Sequence, residues 1–151
     1  MTFRPHHQPL QVLLVEDNPG DVRLTQMAMA RSKLLVNLNV VGDGVEALEF
    51  LYQRPPYTKT PRVDLILLDL NLPRKDGWEV LTEIKADRTL RSIPVVVLTT
   101  SQAEEDIQGA YQNFANCFIT KPVDFNQFVK TVQSIEDFWF TIVKLPPERS
   151  P

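Results

Sequence analysis

Short apolar segments alternate with segments of helical period along the chain, and no internal repeat or low-complexity tract interrupts them. The most apolar stretch is Val63-Asp64-Leu65-Ile66-Leu67-Leu68-Asp69. Its run of consecutive apolar residues covers both faces of an extended chain, so Leu65–Asp69 predicts a central parallel strand buried on both sides. Leu10–Val15, Val36–Val41, Val95–Thr99 and Cys117–Thr120 read as further strands. Pro19, at a first helical position after Asn18 as cap, opens a helix running toward Ser32. Asp43-Gly44 turns into a helix that ends near Tyr52, and Pro73 and Gly77 bracket a loop followed by a helix to about Ala86. Ala103 to Phe114 is a further helix, and Asp124 caps a last one that stays amphipathic to about Leu145. The stretch Arg54 to Arg62, with Pro55, Pro56 and Pro61, cannot be helix interior. It is longer than a usual helix-to-strand connection, and its default reading is a solvated insertion.

The order of elements is a succession of βα units. Right-handed crossovers then give a parallel sheet with helices on both faces. The expected fold is α/β, a flavodoxin-like doubly wound five-stranded sheet of order 2-1-3-4-5, with its crevice between the first and third strands. An extended C-terminal helix follows. Residues 10–145 form one domain, with residues 1–9 and 146–151 as tails.

Composition narrows the function classes. The chain has 151 residues, 43% hydrophobic and 23% charged, which suits one soluble domain. A formal net charge of −3 gives no support for nucleic acid as the main partner. The single cysteine, Cys117, rules out an internal disulfide framework and reads as a small buried hydrophobe. No apolar run approaches the roughly 20 residues of a membrane span. Met1 to Pro9 carries His6 and His7 but no signal-peptide core, so a cytoplasmic protein is expected.

Polar residues at the carboxyl ends of the strands carry the chemistry. The first strand ends in Glu16-Asp17, the third in Asp69, the fourth in Thr99-Thr100 and the fifth in Lys121. In a parallel sheet these ends converge on one rim. Carboxylates in one small crevice repel each other unless a cation sits among them, and hard oxygen donors that leave room for water suit Mg2+. A lysine and a hydroxyl opposite complete a site for a tetrahedral anion. The assembly suggests an aspartate that is itself the nucleophile, forming an acyl phosphate. Taken singly, Glu16-Asp17-Asn18 could be only a turn and helix cap, and Asp69 an inert strand terminus.

Val15-Glu16-Asp17-Asn18, Leu68-Asp69-Leu70-Asn71-Leu72-Pro73-Arg74-Lys75-Asp76-Gly77, Leu98-Thr99-Thr100-Ser101 and Ile119-Thr120-Lys121-Pro122 together resemble the signature set of response-regulator receiver domains. The match runs from roughly Leu10 to Val132. The resemblance implies that Asp69 takes a phosphoryl group from the phosphohistidine of a sensor histidine kinase. It implies that Glu16, Asp17, Asp69 and the backbone carbonyl of Asn71 hold Mg2+, that Lys121 pairs with the phosphoryl group, and that Thr99 is the switch hydroxyl. Phe118, three residues before the lysine, becomes the aromatic switch, although any aromatic on that strand would also pack as core. Lys121-Pro122 resembles the family's cis peptide. The acidic pair is Glu-Asp where Asp-Asp is best known, and Phe118 lacks a phenolic hydroxyl.

The last helix adds a second expectation. Phe125, Phe128, Val129, Val132, Ile135, Trp139, Ile142 and Val143 fall on one face, flanked by Phe138 and Phe140. From Asp124 to Leu145 it would run about 33 Å, against about 17–20 Å for a sheet of short strands. The aromatic end then overhangs the domain. Packing under its own sheet is one outcome; a homodimer interface at Phe138, Trp139 and Phe140 is the favoured one. The long last helix, the extended loop before the third strand and the lack of an output domain resemble the stand-alone regulators paired with bacterial phytochrome kinases. Two other classes compete: a phosphohydrolase with an aspartyl nucleophile, against which Asn71 stands where a second acid is expected, and a receiver-like adaptor that never gains phosphate.

Overall fold

The structure is a computed structural model, and it describes residues 9–30, 36–70, 72, 75–99, 117–120, 126 and 130. Five parallel strands, β1 (Leu10–Val15), β2 (Val36–Val41), β3 (Leu65–Asp69), β4 (Val95–Thr99) and β5 (Cys117–Thr120), form one sheet of order β2-β1-β3-β4-β5. This is the expected order, with β1 and β3 adjacent at its centre. The intervening helices are α1 (Pro19–Ala30), α2 (Gly44–Leu51) and α3 (Gly77–Ala86). The helix expected at 103–114 and most of the last helix lie outside the described residues; Asn126 and Lys130 are helical and exposed.

Alternation along the central strands splits the core into two layers. Leu13, Val15, Ile66, Leu68, Val95 and Val97 face α2 and α3. Leu10, Val12, Leu14, Leu65, Leu67, Val96 and Leu98 face the other way, toward Met29 and Val22 of α1. Every residue of β3 is buried. Each fully buried leucine contributes about 1.5–3 kcal/mol through removal of apolar surface from water. That burial anchors the strand, so the carboxylate at its end is held by a rigid element.

Local chemistry sets the helix starts. The Asn18 side chain accepts the Asp21 N–H at 3.0 Å ahead of Pro19, which suits a first helical position because it has no N–H to satisfy. Asp43 caps α2 by accepting the Glu46 N–H at 2.8 Å. Asp76 caps α3 in a capping box closed by Glu79, whose side chain accepts the Asp76 N–H at 3.3 Å. Tyr52 is the C-cap of α2, and the next residue, Gln53, is left-handed at φ 56°. The Arg54 N–H donates to Glu49 O at 2.9 Å and the Gln53 N–H to Phe50 O at 3.1 Å, a Schellman closure with glutamine where glycine is usual.

The 54–62 segment is a loop, as expected, with a cis peptide at Pro55-Pro56. Part of it is docked rather than solvated. The Tyr57 ring packs on Phe50 with centroids 5.2 Å apart, and its hydroxyl donates to Glu46 Oε2 at 2.7 Å. The other oxygen of Glu46 accepts the Gly42 N–H at 3.1 Å, so one carboxylate ties this loop to the β2–α2 turn. That hydrogen bond, together with burial, pushes the Tyr57 phenol up to about 12. Burial first, and then hydrogen bonding to Asp87, does the same for Tyr52, also to about 12. Among the described residues, no helix is long and apolar enough to cross a membrane.

Candidate functional site

The parallel register pairs Val15 with Leu68, so the next residues, Glu16 and Asp69, emerge side by side at one rim of the sheet. The Glu16 N–H donates to Val41 O at 3.0 Å and fixes the chain as it leaves β1. Beyond Asp69, the Leu70 N–H donates to Leu98 O at 3.0 Å, which carries the β3–β4 pairing past the strand end. Strand direction and register alone therefore bring the two acids together.

One oxygen of each of Glu16, Asp17 and Asp69 lies within 4.8 Å of the others, the only such group of potential metal ligands among the described residues. Glu16 and Asp69 are each only 2% exposed, whereas Asp17 is exposed. Glu16 Oε2 accepts the Asn18 N–H at 3.1 Å, which orients that carboxylate. Two buried anions and a third beside them are unfavourable as a bare set. The donors are hard oxygens, one side is open to solvent through Asp17, and a divalent cation such as Mg2+ fits them.

The other expected participants divide by what is described. The backbone of Thr99 closes β4 beside Thr120 of β5, and Phe118 is in register with Val97. The side chains of Thr99 and Phe118 lie outside the described residues, as do Asn71, Lys121, the Lys121-Pro122 peptide and the aromatic cluster Phe138, Trp139 and Phe140. Two features near Asp69 were not read from the sequence: the Asn18 amide on Glu16, and the close approach of Gly77, whose N–H donates to Leu70 O at 3.2 Å. Asp76-Gly77 and Asp43-Gly44 share a cap-then-glycine pattern that could have flagged the second.

Residues 12–133 match the response regulator receiver domain family. The chain belongs to this family. The response regulator Rcp1 of the cyanobacterium Synechocystis is 48% identical to this receiver over 138 residues, which is 91% of this chain and 94% of that protein. Among solved structures, the phosphorylated cyanobacterial phytochrome response regulator RcpA superposes with a TM-score of 0.80 at 49% identity, covering 92% of this chain and 99% of that one. The Mn(2+)-bound form of response regulator Rcp1 gives a TM-score of 0.78 at 48% identity, covering 91% and 99%. The receiver is thus a two-component signalling protein that accepts a phosphoryl group on an aspartate from a histidine kinase, and its acidic cluster is compatible with a divalent metal.

Proposed function

We propose that Asp69 is the phosphoacceptor of this receiver and that Glu16, Asp17 and the backbone carbonyl of Asn71 complete its Mg2+ site. The observation that carries this reading is the meeting of the Glu16, Asp17 and Asp69 oxygens within 4.8 Å at the end of a fully buried strand. An Asp69 oxygen attacks the phosphorus, the P–N bond to the kinase histidine breaks, and the imidazole leaves with its electron pair. Bound Mg2+ would offset the charge between the carboxylate and the phosphoryl oxygens. Glu16, fixed by the Asn18 N–H, keeps the acidic set in register with Asp69, and Asp17 offers its carboxylate from the solvent side. Thr99, the last residue of β4, and Lys121, next in sequence after β5, serve as switch hydroxyl and phosphoryl-pairing cation, and Phe118 follows Thr99 inward. The chain acts by changing its surface or passing the group on, without turnover of a free substrate; Asn71 in place of a second acid supports this.

The finer partner reading is a phytochrome-type kinase in the cytoplasm, supported by similarity to the phytochrome response regulator RcpA. Homodimerisation through the aromatic end of the last helix rests on the apolar stripe in the sequence; unchanged sedimentation of a Phe138→Ala, Trp139→Ala variant would count against it.

The phosphoacceptor reading is tested by incubating the protein with Mg2+ and acetyl phosphate or a phosphorylated kinase. A base-labile phosphoryl adduct is expected on the wild type and not on Asp69→Asn. An adduct retained by Asp69→Asn would overturn the assignment.

A further inference from the structure

The glycines that open α2 and α3 are not required by their backbone angles, because no described glycine has positive φ. Alanine is the better helix former. What each glycine supplies is the absence of a Cβ. At Gly77 a Cβ would stand 2.6 Å from the carbonyl oxygen of Asp69 and 2.5 Å from Leu70 Cα. At Gly44 it would fall on the Lys75 carbonyl oxygen, 2.8 Å from Lys75 Cβ and 2.7 Å from Val80 Cγ2. Val80 is fully buried, so it has no open space to retreat into. Gly42, on the same turn as Gly44, would meet only Glu46 Oε1, at 3.8 Å.

Lys75, Asp76 and Gly77 are consecutive, so the two contacts join. The first residue of α2 bears on the backbone of Lys75, and the first residue of α3 bears on the backbone of Asp69. We propose that this pair of glycine contacts is a linkage through which the N-terminus of α2 sets the position of Asp69, with Gly44 as a positioning residue for metal binding and phosphoryl transfer. The linkage rests on the reading of Asp69 as phosphoacceptor. It runs through backbone atoms, which cannot swing aside as a side chain does, so a displacement at Gly44 must be passed on or absorbed by the loop.

The test compares Gly44→Ala with Gly42→Ala in the full chain. Mn2+ affinity is measured by calorimetric titration, phosphorylation rate with acetyl phosphate at saturating Mg2+, and folding by circular dichroism. Gly44→Ala is expected to stay folded, bind Mn2+ about tenfold more weakly and react about tenfold more slowly, with Gly42→Ala within about twofold of wild type. A Gly44→Ala protein that matches Gly42→Ala in both readouts overturns the linkage. A wild type that takes no phosphoryl group would sink the Asp69 reading instead, and the Mn2+ affinities would still decide the linkage. Should Gly44→Ala fail to fold, Mg2+ titration of the wild type followed by amide chemical shifts replaces it. The Gly44 amide is expected to move with the same midpoint as the Asp69 amide, and a stationary Gly44 amide would overturn the proposal.

Discussion

Replacing Asp69 by asparagine is expected to stabilise the metal-free protein while abolishing its phosphorylation. Glu16 and Asp69 are both 2% exposed, and their oxygens lie within 4.8 Å. At that separation and an effective dielectric constant of about 20, two unit charges repel by about 3.5 kcal/mol. Hydrogen bonds to the charged forms, such as the Asn18 N–H on Glu16, return part of this, which leaves about 1–2 kcal/mol to be recovered by neutralising one partner. Asparagine is nearly isosteric, so no cavity offsets the gain, and its amide can donate to the remaining carboxylates.

For a chain of this size each kcal/mol moves the melting temperature by about 2–4 °C, so a rise of about 2–8 °C is expected in chelator-treated protein. Adding Mg2+ should then reverse the ranking. At about a hundred times its dissociation constant, a bound ion adds about 2.7 kcal/mol to the wild type. The variant, short of one acidic ligand, should gain much less. Thermal melts with chelator and with Mg2+ give both numbers, and Glu16→Gln should move the metal-free value in the same direction. An Asp69→Asn protein that melts at or below wild type without metal, or that gains as much from Mg2+ as wild type does, would refute the electrostatic reasoning.

Gln53→Gly should raise stability by about 0.5 kcal/mol in urea unfolding, since relief of the left-handed backbone at φ 56° exceeds the loss of an exposed hydrogen bond from Gln53 Nε2 to Thr60 O. Tyr52 and Tyr57 have folded values of about 12 against an ordinary 10.0, so their contribution is full below pH 10 and is lost as pH rises toward 12. Unfolding free energy measured across that range should fall, and Tyr57→Phe should lower stability at neutral pH while flattening the alkaline decline.

What could be read in the sequence was whatever depends on local pattern. Leu65 to Leu68 signalled a doubly buried strand because both faces of a central parallel strand must be apolar, and Asn18-Pro19 and Asp43-Gly44 marked helix starts because caps are chemical. The acids of Glu16-Asp17 and Asp69 could be assigned to one rim because parallel strands share a direction. Contacts between elements distant in sequence left weaker traces. Tyr57 sits among prolines and basic residues that read as solvated, yet its ring finds Phe50 and its hydroxyl finds Glu46. Gln53 carries no glycine to announce a left-handed cap. Gly44 and Gly77 read as a turn and a loop end just before helices, but the atoms that exclude a Cβ there belong to Lys75, Val80, Asp69 and Leu70, and only the folded chain brings them close.

The adjacent acids Glu16 and Asp17 differ in how they are held, and this bears on the longer first arm of the proposed metal-binding pair. The buried member is the glutamate, held from the backbone on both sides of its side chain's reach: its own N–H is fixed to Val41 O, and Oε2 is fixed by the Asn18 N–H. An extra methylene in a free side chain would add rotamers to be lost on binding a cation. Here that freedom is already spent in folding, so the longer arm enters the site pre-ordered. Asp17, short and exposed, leaves one side of the acidic cluster open to solvent. With Asp69 proposed as phosphoacceptor, this division of burial between the two acids, more than their chemical identity, is what a Glu-Asp pair needs to stand in for two aspartates.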